Sequence, residues 1–171
     1  MPFIMQPARI PAGGAFPIVG QPTVEPATFS RGAVLVLQAG NTGLCLEAGV
    51  NPTQIVGVAL QGGDTNPGFA AANNPTTITG RSAEVSVATA NKQTVFQATL
   101  TNGSNVAVQP VNADIGAQYG ITGYNAGTVA AVWVVDKAKT GASARVAVVD
   151  FDTVRQIVFF RFIDSSIIGS N

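Results

Sequence analysis

Between Phe29 and the C-terminus, apolar residues come only in short runs, each soon closed by Gly, Asn, Asp or Pro. No stretch sustains an apolar period of about 3.6 with caps and without Gly or Pro, so no long helix is expected. Runs of this kind read as strands. Arg31–Leu37 is rich in branched residues and is followed by the turn signal Ala39-Gly40-Asn41-Thr42-Gly43 and a second short run through Cys45, which predicts a hairpin. Gln54–Leu60 is a strand with Gly57 inside it, where a bulge or a close backbone approach is expected. Val85 and Val87 alternate with polar neighbours, as do Phe96, Ala98 and Leu100, and Thr101–Asn105 turns the chain before Val106 and Val108. Val129–Val135, Arg145–Asp150 and Val154–Ile163 make the last three strands, with a turn at Phe151-Asp152-Thr153 and a short helical turn allowed near Ala113–Ala117. The fold class predicted is all-β, an antiparallel barrel or sandwich.

The first 27 residues are built differently. Six of the ten prolines fall there, and each removes a ladder donor and holds its neighbourhood extended. Yet Phe3, Ile4, Met5, Ile10, Phe16 and Ile18 are interleaved with them, which is not the composition of a solvated linker. This segment is expected to be an extended Pro-rich N-terminal arm over residues 1–27, ordering against a neighbouring subunit with those apolar residues as its anchors. Residues 28–171 form the β domain, either undivided or as two β-subdomains split near Gly80. Residues 61–80, rich in Gly, Ala, Asn, Thr and Pro, are expected to be a long exposed loop.

Composition narrows function. Charged residues make up 11% of the 171, nine acidic and nine basic, against about 25% in ordinary soluble domains, which predicts surface covered by other chains. With no histidine there is no imidazole base and no His ligand, so the commonest hydrolase and zinc arrangements are excluded. Cys45 lies between Leu44 and Leu46 and reads as a buried thiol. A net charge of zero argues against direct binding of nucleic acid. No signal-like or membrane-spanning run stands out, so a product made and kept in a cytosol is expected.

No constellation of residues points to chemistry. Asp150 with Asp152, or Asp136 with Asp164, lack a partner base and read as turn or strand-end acids. The Gly-rich pieces Gly40–Gly43 and Gly116–Gly127 lack the Lys-Ser/Thr ending of a phosphate loop, and Asp64, Asp114 and Asn125 lack the alternation of a calcium loop. No enzyme activity, cofactor or metal is expected. A sugar site would fall to Tyr119, Tyr124 and Phe69. Val158, Phe160 and Phe162 on one face of the last strand, and Ile157, Phe159 and Ile163 on the other, leave both faces apolar. Trp133, Phe159, Phe160 and Phe162 are therefore either core or contacts within a trimer.

Several segments together resemble the capsid decoration, or cement, proteins of tailed bacteriophages. They are Phe29-Ser30-Arg31-Gly32-Ala33-Val34, Ile55–Leu60, Asp114-Ile115-Gly116 with Tyr119-Gly120-Ile121, and Trp133–Lys137 followed by Lys139-Thr140. They cover most of residues 29–163, and the arm is outside the match. The resemblance implies a structural virion protein on the outer surface of the head, made in the host bacterial cytoplasm. It implies a homotrimer at threefold or quasi-threefold positions that cements neighbouring major capsid subunits. The competing reading is a host- or carbohydrate-binding β module of a head fibre or tail.

Overall fold

The computed structural model describes residues 4–9, 15, 17–23, 29–40, 43–62, 84–127 and 131–168. These form an all-β fold of two sheets. The first sheet takes β2 (Ile18–Pro22), β3 (Val34–Leu37), β4 (Cys45–Glu47), β5 (Ile55–Ala59) and β6 (Glu84–Thr89), in the order β2-β6-β5-β3-β4. The second takes β1 (Gln6–Arg9), β7 (Val95–Thr101), β8 (Gln118–Tyr124), β9 (Val132–Asp136), β10 (Val146–Asp152) and β11 (Ile157–Phe162), in the order β1-β7-β11-β10-β8-β9. It closes on itself, because the end of β7 also pairs in parallel with β9 at Leu100↔Val135 and Thr101↔Asp136. Closure reduces the open edges that a flat sheet would present, although β8 beyond Tyr119 is paired with β9 only among the described residues.

Local sequence explains most of this. The expected hairpin is present, with Leu35↔Glu47, Val36↔Leu46 and Leu37↔Cys45 in register. Opposite Leu35 and Val36, β5 offers Gly57 and Ile55, so the register slips by one residue beside Gly57. A β-carbon on Gly57 would collide with the Ala88 carbonyl of β6, which is why glycine is needed there. Both arm segments end up at sheet margins. β1 carries Pro7 and adds to the side of β7, and β2 carries Pro22 and lies outside β6, margin places where sheets tolerate proline.

Gln118–Tyr124, inside the Gly-rich piece expected to turn, is instead strand β8, held by pairing with β9, and other boundaries also differ from expectation. β10 runs through Phe151 and Asp152, and the turn follows at residues 153–156. Asp152 Oδ1 accepts from the amides of Val154 and Arg155, so this residue ends the strand and caps the turn at once. Strand β6 pairs with β5 in the first sheet, and the chain passes from β6 to β7 of the second sheet through residues 90–94. One buried cluster spans both sheets, from Met5, Phe29, Leu35, Ile55 and Val87 to Phe96, Leu100, Trp133 and Phe160. At its centre Phe96, Phe160 and Phe162 pack with ring centroids 5.2–6.0 Å apart. The loop expected at 61–80 lies almost wholly outside the described residues.

Candidate interaction surface

Strand β2 is the most exposed apolar element of the described chain. Consecutive strand residues point to opposite faces, yet Ile18 is 56% exposed and Val19 38%, so neither face of this margin strand is covered there. Its ladder to β6 is complete from Ile18↔Ala88 to Pro22↔Glu84. At its far end, Thr23 bridges to Cys45, whose Sγ donates to Gln21 Oε1 at 3.7 Å. Burial pushes the Cys45 thiol up to about 11, which keeps it protonated and unreactive at neutral pH.

The rest of the arm divides. Ile4 is 48% exposed, whereas Met5, expected to anchor on a neighbour, is fully buried in its own chain's core. It directly precedes β1, which pairs with β7, and its backbone lies against Gly32. Arg9 pairs with Asp150 at 2.9 Å and lies over the Phe159 ring at 5.4 Å, so it covers part of the barrel's outer face. Phe3, Ile10 and Phe16 lie outside the described residues.

Of the four aromatic residues left between core and interface, Trp133, Phe160 and Phe162 are buried within the single chain. Only Phe159 remains half-buried, beneath Arg9. The sugar-site candidates fare no better as a platform. Tyr119 is buried and donates its hydroxyl to Asp114 Oδ1 at 2.6 Å, Tyr124 is half-buried, and Phe69 lies outside the described residues.

The acids are occupied by structural bonds. Asp114, buried, accepts from the Val111 amide at 2.8 Å, from Tyr119, and from Lys137 Nζ at 2.7 Å. Burial alone would raise its pKa, but the Lys137 and Tyr119 contacts outweigh it and hold the carboxyl below its ordinary value. Tyr119 is pushed up to about 12 by burial and by that carboxylate. Asp136 accepts from the amides of Gly103 and Ala138 and from the Thr122 hydroxyl. Asp164 pairs with Lys92 at 2.9 Å. Among the described residues, no three acidic or Cys side chains gather to hold a metal ion, and no helix is long and apolar enough to cross a membrane.

No family model, curated protein or solved structure matches the chain. The surface therefore has to be read on its own residues. Two polar clamps that sequence reasoning missed join the sheets. Glu47 of β4 accepts from Trp133 Nε1 at 2.8 Å and from the Gly127 amide at 2.5 Å. Arg145 donates to the carbonyls of Asn51 and Pro52 in one sheet's loop and of Ala142 and Ala144 beside its own strand. Their partners are 80 or more residues away, apart from the two local carbonyls, and no motif signals them.

Proposed function

We propose that the chain is a structural, non-catalytic subunit that binds the outer surface of a tailed-phage head. There it cements neighbouring major capsid subunits as a homotrimer at threefold or quasi-threefold positions. The segments that resemble those of decoration proteins suggest the assembly. The observation that carries the subunit reading is β2, a margin strand with Ile18 and Val19 uncovered on its two faces. An apolar margin strand left open is a site for pairing with another chain, and the low charge of the whole chain is consistent with covered surface. Stabilisation would arise by linkage, since a ligand that binds only the expanded lattice lowers the free energy of that state, and many repeated contacts add up.

Sedimentation equilibrium over a hundredfold concentration range, followed by cosedimentation with undecorated heads of the phage that carries the protein, tests this. A trimer that saturates the heads and raises their resistance to heat supports the proposal. A chain that fails to sediment with heads at any concentration overturns it.

A further inference from the structure

At the junction of the two sheets, beneath the Glu47 clamp, lies an open groove of about 120 Å³. Its walls are Ala48 and Val50 from the first sheet's β4–β5 loop, Ile121 of β8, Ala126 and the Trp133 ring. That volume is roughly the space of four waters at about 30 Å³ each, enough for one aliphatic side chain. A single charged side chain, Lys139, lines it. Lys139 Nζ donates to the Ile121 carbonyl at 3.3 Å, and no carboxylate among the described residues pairs with it. Glu47 accepts from Trp133 and Gly127, Asp136 accepts from Gly103, Ala138 and Thr122, and neither pairs with Lys139. The groove thus combines largely apolar walls with one lysine that has no carboxylate partner among the described residues.

Its floor also suits a main chain. Strand β8 pairs with β10 only at Gln118 and Tyr119, and from Gly120 to Tyr124 it has β9 on one side alone. Apart from the Ile121 carbonyl that Lys139 reaches, the other side of Ile121–Tyr124 has no strand partner among the described residues. Gly123 lies flat against the Trp133 ring, where a β-carbon would come within 2.7 Å, so the strand stays low beside the opening.

We propose that this groove captures the C-terminal residue of a partner polypeptide ending in an aliphatic side chain. The side chain fills the groove, the terminal carboxylate pairs with Lys139, and the preceding residues run antiparallel along the free side of β8. A carboxylate is the group that an unpaired ammonium at a partly desolvated rim selects, and strand addition is the usual way to satisfy peptide groups beside it. This site is independent of binding to heads.

Trp133 is the only tryptophan, so its emission reports on the groove in the full-length protein. The probes are acetyl-Ala-Ala-Leu with a free carboxylate, the same peptide as its amide, and free 4-methylpentanoate. The free-acid peptide is expected to change the emission saturably below about 10 mM and to bind about tenfold more tightly than the amide. Lys139→Gln removes that tenfold preference. Val50→Asp, at a residue 85% exposed and so harmless to folding, also weakens the free-acid peptide. Equal binding of acid and amide, no saturable change, or a preference that survives Lys139→Gln overturns the proposal. Binding of 4-methylpentanoate as tight as that of the peptide overturns the polypeptide assignment in favour of a small-acid site.

Discussion

Glu47 brings a carboxylate into the junction of the sheets to satisfy two donors, the Trp133 indole and the Gly127 amide. Burial raises its pKa despite those bonds, so keeping it ionised carries a cost at neutral pH. Removing it is expected to cost more, since the indole N–H of a tryptophan only 2% exposed would be left without a partner. Glu47→Ala should destabilise by about 2 kcal/mol, read by urea unfolding followed through Trp133 emission. Asp114 and Tyr119 give the pH dependence. The lowered pKa of Asp114 contributes stability that is present above the ordinary carboxylate value of 3.8 and is lost as pH falls through its lower folded value. Tyr119, raised from 10 to about 12, contributes stability present below pH 10 and lost as pH rises through about 12. Unfolding curves should therefore weaken at both extremes. Asp114→Asn should flatten the acid limb, and Tyr119→Phe should shrink the loss between about pH 10 and 12.

At the scale of elements, the arm segments pair with the chain's own sheets, β1 with β7 and β2 with β6. Pro7 and Pro22 disfavour a central strand, and among the described residues β1 and β2 lie at the margins of their sheets, where the sequence alone predicts an arm reaching a neighbouring subunit. The hairpin from Val34 to Glu47 and the special place of Gly57 were legible, because local turn chemistry and a missing side chain act over a few residues. The turn at 153–156 was not. Phe151 and Asp152 look like turn residues, and only pairing with Val158 and Ile157 keeps them in β10. The exposed stretch of β2 makes the element-level prediction. Replacing Ile18 and Val19 together by Lys should leave thermal stability within about 0.5 kcal/mol, while reducing self-association and head binding as seen by sedimentation. Unchanged association would remove β2 from the interface.

For the whole molecule, two sheets share one core, so the described domain should unfold in a single cooperative transition by calorimetry and by Trp133 emission. Two separated transitions would mean that the sheets are independent units. Arg145 bears on this unity, since its guanidinium reaches the Asn51 and Pro52 carbonyls across the junction while holding Ala142 and Ala144. Lysine keeps the charge but cannot span four acceptors with a planar fork. Arg145→Lys is expected to cost about 2 kcal/mol, measured as a lowered midpoint of that transition.

By itself the sequence determined the β class, the first hairpin and the buried thiol. Each of these follows from steric or hydrophobic rules acting on a residue and its near neighbours. Only the tertiary structure decided that Trp133, Phe160 and Phe162 are core, and that Met5 is buried in its own chain. It also closed the second sheet through β7 and β9, and brought Glu47, Arg145 and Lys139 to the junction between sheets. Those outcomes depend on which residues meet across long separations, and an apolar strand reads the same in sequence whether its cover comes from its own chain or from another.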